Sequence, residues 1–438
     1  MHLTQNSRQR PPGRRPRRRP WLAAATLTAC LAAAYPAAAA VRGTPTAAAP
    51  QRPLNCGAPD YFVQCYTPQA YEVAYGVAPL LGRGINGSGE TVVMPELAET
   101  PSSSGLTYTD IRHDLAAFDS KFGLPTAKLR VVNSIARSTT PYLAGTEEVE
   151  DTEMVHAIAP GAALDVVLVP GDAATSPAGF ASAVTKTVLS GVALHAAVIS
   201  LSGSYGEHFL TSGEVAQVNA ALEQARDQHV TFVAASGDTG AISDDGPPRQ
   251  VSMPASDPLV LAVGGTALDA TWGTGAYHGE MAWNEGTDAS GGGFSSLFGR
   301  PAYQDGVTRI GADRAVPDVA ANADSATAMA MVFSGDVLQP TTGTSAATPL
   351  WAGVIALADQ EAGQHLGFVN PAIYAIARGP AYRQAFHDVV TGDNSVLWPT
   401  GVFAGYTAGP GWDPVIGWGS PNAQYLVPRL AHTARTGV

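Results

Sequence analysis

Ser345 stands in Gly343-Thr344-Ser345-Ala346-Ala347-Thr348-Pro349, just ahead of the apolar run Leu350–Ala358. A serine held between a glycine turn and a helix N-terminus is exposed. Its own N–H is free to face an oxyanion, which is the setting of a nucleophile. The same residue types also make an ordinary helix cap. A nucleophilic serine needs a base. The ten histidines are scattered, none lies in a His-Gly-Thr-His type of context, and His156 reads as structural. Carboxylates fill the gap. In Thr146-Glu147-Glu148-Val149-Glu150-Asp151-Thr152-Glu153, Glu147 and Asp151 are four apart and share one helix face. Neither Glu148 nor Glu150 has that spacing to Asp151. Interacting carboxyls tend to hold one proton, which lifts one pKa into a useful range; an exposed acidic helix face is the plainer alternative. The third candidate, Asp238, follows the apolar run Val233-Ala234-Ala235 in Ser236-Gly237-Asp238-Thr239-Gly240. That places it at the carboxyl end of a strand, where open α/β sheets keep their sites, although a simple turn has the same composition.

The elements that must position these groups alternate along the chain. Strands are predicted at Thr91–Met94, Lys128–Asn133, Leu164–Val169, Ala197–Ser202, Val230–Ala235 and Leu259–Val263, and helices at Tyr108–Phe122, Gly179–Leu194 and Ser212–Gln228. Short, fully apolar strands between amphipathic helices predict an α/β fold, a doubly wound and mostly parallel sheet with helices on both faces. Its connections should be right-handed, with the ligand crevice at the strand carboxyl ends. No composition shift interrupts residues 69–430, which are read as one catalytic domain.

The N-terminus reads as a processing segment. Seven arginines between Arg8 and Arg19 precede the apolar run Trp21–Ala40, which ends in small residues. Residues 1–40 are therefore expected to be a signal peptide and the protein to be secreted. Paired arginines also permit twin-arginine export, and Leu27-Thr28-Ala29-Cys30 leaves lipid anchoring through Cys30 as the minor alternative. Removing those seven arginines, with no acidic residue among them, takes the formal charge from −12 to −19. Lys121, Lys128 and Lys186 are the only lysines. Such a surface argues against nucleic acid or an anionic membrane as partner. No later run is long and apolar enough to span a bilayer. Residues 41–68, rich in Ala, Pro and Thr, are expected to be a linker or short pro-segment, within which Cys56 and Cys65 could close a short loop.

Taken together, the motifs resemble the sedolisins, the serine-carboxyl peptidases, across nearly all of residues 70–425. The resemblance rests on Gly-Thr-Ser-x-x-x-Pro-x-x-x-Gly from Gly343 to Gly353, Ala159-Pro160-Gly161-Ala162, Ser236-Gly237-Asp238 and Gly291-Gly292-Gly293-Phe294-Ser295. Val316-Pro317-Asp318-Val319, Phe386-His387-Asp388-Val389 and Gly409-Pro410-Gly411-Trp412-Asp413 add to it in order and spacing. It implies a subtilisin-like fold, Ser345 as nucleophile, Glu147 as general base, Asp151 as its support and Asp238 in the oxyanion hole. It also implies one structural Ca²⁺, held by the side chains of Asp388 and Asp413 and the carbonyls of Val389, Gly409 and Gly411. Hard oxygens of that kind suit Ca²⁺ and not Zn²⁺. Two positions depart from the family pattern: Thr342 replaces a usual serine, and Gly203-Ser204-Tyr205-Gly206 lacks a frequent tryptophan.

The implied roles are coherent. Glu147 would take the serine proton and return it to the leaving amine. Asp238 stabilises an oxyanion only while protonated, so the chemistry expects acid. The reading is a secreted, acid-active endopeptidase or tripeptidyl-peptidase, monomeric, acting on polypeptides. An inactive relative serving as a binding or surface protein is the alternative. An esterase or amidase is disfavoured because the Gly-x-Ser-x-Gly elbow is missing. The family's usual large prodomain has no room between Ala40 and the start of the resemblance, about thirty residues, below the size of an unaided domain. The mature chain is therefore expected to fold without one.

Overall fold

In the computed structural model, which describes residues 53–436 apart from 58–62, 99–108, 134–143, 171–175, 244–245 and 336, the apolar runs form one central sheet. Its parallel strands are β1 (Thr91–Ala98), β2 (Lys128–Asn133), β3 (Ala163–Pro170), β4 (Val198–Leu201), β5 (Thr231–Ala235) and β6 (Leu261–Ala270), lying side by side in the order β6-β5-β4-β1-β3-β2. Two further strands join β6: β7 (Tyr277–Ala282) antiparallel and β8 (Val319–Asn322) parallel. The sequence did not predict this pair. The expected mostly parallel sheet is thus present, and β6 runs seven residues past its expected end at Val263 to carry the antiparallel partner.

Helices α1 (Ile111–Phe122), α2 (Thr146–Ile158) and α5 (Gly343–Ala362) contribute to the core on one face, and α3 (Pro177–Ala193) and α4 (Ser212–Asp227) to the core on the other. Successive residues of a strand point to opposite faces, and β1 shows why it reads as continuously apolar: Val92 and Met94 enter the first core while Val93 enters the second. Caps fix the helix ends. Asp110 caps α1, which stops at Gly123 with φ +69°. Thr211 and Glu214 form a reciprocal capping box on α4.

The chain crosses from β3 over β1 to β4, so the sheet order reverses around β1. The carboxyl ends of β1, β4 and β5 therefore flank the switch point, where doubly wound sheets bind ligands.

The folded unit reaches further back than the boundary at 69. Leu54–Cys56 pairs antiparallel with Val63–Cys65, Cys56 and Cys65 are joined by a disulfide, and Tyr66 exchanges backbone hydrogen bonds with Ala328 and Ala330 at 2.8 and 2.9 Å. This part of the expected linker is docked on the domain. The expected signal peptide, including Cys30, lies outside the described residues. Among the described residues no helix is long and apolar enough to cross a membrane.

Candidate active site

Ser345 sits at the third position of α5, inside the helix, and the helix has no side-chain cap. The ordinary-cap reading is thereby excluded. The turn before Ser345 is bound from several sides. Thr342 is extended (φ −156°), Gly343 has φ +78°, and the Gly343 N–H donates to the Ala323 carbonyl at 2.8 Å. Asp238, at the carboxyl end of β5, accepts on Oδ1 from the Thr344 N–H (2.8 Å) and the Thr344 hydroxyl (2.6 Å). A Cβ at position 343 would stand 2.6 Å from Asp238 Oδ2. Glycine there lets the carboxyl approach and also permits the left-handed turn.

Pro349 is four residues after Ser345 and carries no N–H, so the Ser345 carbonyl loses its intrahelical donor. Ser202, just past β4, supplies a replacement: its hydroxyl lies 3.2 Å from the Ser345 carbonyl oxygen and 2.7 Å from Asp151 Oδ1. The proline in the Ser-x-x-x-Pro spacing thereby opens a link between the nucleophile's main chain and the acidic helix.

That helix, α2, is buried from Glu148 to Ile158. The exposed-acidic-face alternative therefore fails for this stretch. Glu147 is exposed, Ser345 and Asp238 are half-buried, and Asp151 is 1% exposed. The Ser345 side chain lies close enough to the Glu147 carboxyl to influence its proton affinity. The protein packed around the Glu147 carboxyl, and then the charge of Asp151, push its pKa well above the usual carboxylate range, against the lowering effect of Ser345. Burial likewise pushes Asp151 up to about 7, opposed by hydrogen bonds from Ser202 and Glu96. The structure thus brings Ser345, Glu147, Asp151 and Asp238 together in one cleft.

Glu96 was missed by sequence reading. It lies in β1, 4% exposed, and shares a hydrogen bond with Asp151. Desolvation and the Asp151 charge hold it well above its ordinary pKa, so Glu96 is the protonated donor and Asp151 the acceptor. The signal was available: β1 was predicted to stop at Met94, and extending it two residues puts a glutamate at the buried carboxyl end of a central strand.

Asp388 and Asp413 meet around the turn 409–413. Asp388 Oδ1 accepts from the Tyr382 hydroxyl (2.9 Å) and the Gly411 N–H (3.0 Å). Asp413 is fully buried and accepts from the N–H groups of Gly409, Val415 and Ile416. Burial pushes Asp413 up to about 6, against those three N–H groups and the nearby Arg309. Among the described residues no group of three or more His, Cys, Asp or Glu side chains could hold a metal. A cation here would rest on two carboxylates and main-chain oxygens. Oxygen-only donors are the kind Ca²⁺ takes; here the Asp413 oxygens accept from three N–H groups and the Arg309 guanidinium lies beside Gly409.

The sheet and its helices have the subtilisin-like α/β fold. Residues 142–374, just over half the chain, match the subtilase family. Within that class the chain belongs to the sedolisin family, the serine-carboxyl peptidases. Kumamolisin of Bacillus sp. (strain MN-32) is 36% identical over 300 residues, 66% of this chain and 51% of the relative. Sedolisin of Pseudomonas sp. (strain 101) is 38% identical over 206 residues, 44% of this chain and 33% of the relative. Tripeptidyl-peptidase 1 of Homo sapiens is 36% identical over 254 residues, 52% and 42%. The chain spans about half or less of the length of these relatives. A solved structure of Pseudomonas sedolisin complexed with two molecules of pseudo-iodotyrostatin superposes with a TM-score of 0.72 at 26% identity, covering 86% of this chain and all of that one.

Proposed function

We propose that this protein is an exported, acid-active serine-carboxyl peptidase that cleaves polypeptides through an acyl-enzyme on Ser345. The observation that carries the reading is the gathering of Glu147 and Asp151 beside Ser345, with the Ser202 hydroxyl 2.7 Å from Asp151 Oδ1 and 3.2 Å from the Ser345 carbonyl oxygen. The fraction of Glu147 that is ionised accepts the Ser345 proton as the hydroxyl attacks the scissile carbonyl, and returns it to the leaving amine. Asp151, fixed by Ser202 and Glu96, keeps a second carboxyl beside the base and raises its proton affinity. The Ser345 N–H, at the third position of its helix, has no intrahelical partner and points the positive end of the helix at the developing oxyanion. Asp238 is the second donor. Its Oδ1 is spent on Thr344, so the proton it offers rides on Oδ2. The test is digestion of a peptide library across pH with products read by mass spectrometry. Cleavage confined to acid and abolished with Ser345 supports the reading, and a folded but inert protein at every pH overturns it.

Asp238→Asn separates the donor role from the others, because an amide donates at every pH. The variant is expected to have a lower peak kcat/KM and a shallower decline toward neutrality than wild type. An unchanged profile would remove Asp238 from the role of titrating donor.

The side chains of Asp388 and Asp413, with the carbonyls of Val389, Gly409 and Gly411, would hold one Ca²⁺ that braces the C-terminal loops. A cation that binds only the folded state adds to its stability. Chelation is expected to lower Tm by several degrees. Asp388→Ala should lower it comparably and leave little further response to chelator. An identical wild-type Tm with and without chelator would exclude calcium.

A further inference from the structure

Base and nucleophile ride on different helices, and their separation must be held to within a fraction of an ångström. The C-terminal end of α2 nearly touches the middle of α5: a Cβ on Gly353 would come within 2.8 Å of Ile158. Nearer the nucleophile turn the contact is polar. Glu150, 3% exposed on α2, accepts from the Thr342 N–H with both oxygens, at 3.3 and 3.2 Å. Thr342 is the residue from which the nucleophile turn begins, and three residues later the chain reaches Ser345. Glu150 itself is three residues past Glu147 and next to Asp151.

Burying a third carboxyl beside two others is costly. A purely structural link between two helices would be served as well by an apolar residue, as it is at Gly353 and Ile158. Of the groups binding the turn, Ala323 follows β8, Asp238 follows β5, and Ser202 follows β4. Glu150 reaches it from the helix that carries Glu147. Ser202 touches α2 only through Asp151, whereas Glu150 joins α2 directly to the turn.

We infer that Glu150 is a positioning residue: its carboxyl ties the main chain at Thr342 to α2 and so sets the register of Ser345 against Glu147. This rests on the serine-carboxyl reading above. The function needs an acceptor of glutamate length and does not need its charge. Glutamine retains the acceptor. Leucine fills the space without one, and aspartate keeps the carboxyl but draws it back by one methylene. Thr342 is exposed, so when its N–H is released it turns to water, and the fold is spared.

The experiment measures kcat and KM of wild type, Glu150→Gln, Glu150→Leu and Glu150→Asp on one peptide substrate at the acidic optimum, with Tm recorded for each. A misplacement of about an ångström costs up to about 100-fold in rate. Glu150→Leu and Glu150→Asp are expected to lose roughly 10- to 100-fold in kcat with KM within about threefold, whereas Glu150→Gln stays within about threefold of wild type. The Tm of Glu150→Leu should equal or exceed that of wild type, because a buried carboxyl is gone. Wild-type kcat in the leucine and aspartate variants overturns the inference, and so does a glutamine variant as damaged as leucine. Should leucine fold poorly, the aspartate and glutamine pair decides alone. An inert but folded wild type would overturn the peptidase reading instead, and is distinguished by appearing before any substitution is made.

Discussion

Ser345→Ala is expected to reduce turnover by on the order of 10⁵-fold or more while leaving Tm and peptide affinity nearly unchanged. Ser345 is half-buried beside Glu147; no apolar contact of the core depends on its hydroxyl. Glu147→Gln should cost nearly as much, because an amide cannot accept the proton. The double variant should be hardly worse than either single one. Nucleophile and base act as one unit, and once either is missing the other has nothing to do. What remains would be the slow reaction assisted by the oxyanion donors alone. Single-turnover kinetics on a chromogenic peptide at the acidic optimum would measure all three. Activity of either single variant within tenfold of wild type would contradict the assignment, and multiplicative losses would mean that the two groups serve different steps.

Most of this site could be read before the fold was seen, and the parts that could not have physical reasons. Ser345 and Asp238 sit on local signals: a glycine turn entering a helix, and a buried strand ending in Ser-Gly-Asp. Glu147 and Asp151 are tied by the helical repeat, which spacing alone reveals. Glu96 and Ser202 join them only through the order of the sheet, since β1, β4 and α2 meet in space and not along the chain. Local pattern carries no information about such pairings. The same holds for the sheet. Six of the seven parallel strands were visible as apolar runs, the short β8 being missed, and the antiparallel β7, Tyr277-His278-Gly279-Glu280-Met281-Ala282, is mostly exposed or half-buried and lacks that signature. Glu280 within it shows why polarity is tolerated there. Its carboxyl accepts from Tyr75, Thr266, Tyr277 and Ser420, four hydroxyls brought from four parts of the chain.

Raising the pH from about 4 to about 7 is expected to destabilise the folded protein, and the sign follows from the buried carboxyls. A carboxyl whose pKa is raised by folding holds its proton in the native state at pH values where the unfolded chain has released it. The native state then binds more protons, and stability falls as pH rises. Glu96, Glu150, Glu153 and Asp359 are all pushed well above the usual range, chiefly by burial, and Asp151 rises to about 7. Glu72, raised from 4.5 to about 7 by burial, would alone cost about 3 kcal/mol across that interval. His365 acts in the same direction: its hydrogen bond to Glu90 raises its pKa, so the stability it contributes is present in acid and lost as pH climbs. His387 opposes them. Burial lowers it to about 4, so protonation of the unfolded chain weakens the fold below about 6.5, by about 3 kcal/mol at the acid end. That single group offsets Glu72 and leaves the rest of the carboxyls uncompensated. At about 2–4 °C per kcal/mol or less for a domain of this size, Tm should be higher near pH 4 than near pH 7 by roughly 5–10 °C. Calorimetry at fixed calcium and ionic strength would measure it. A Tm that is flat, or that rises toward pH 7, would mean that these carboxyls find their charge compensated in the folded protein. The activity decline assigned to Asp238 is separable from this loss, because loss of its proton reverses at once on re-acidification, whereas unfolded protein must refold before it can cleave.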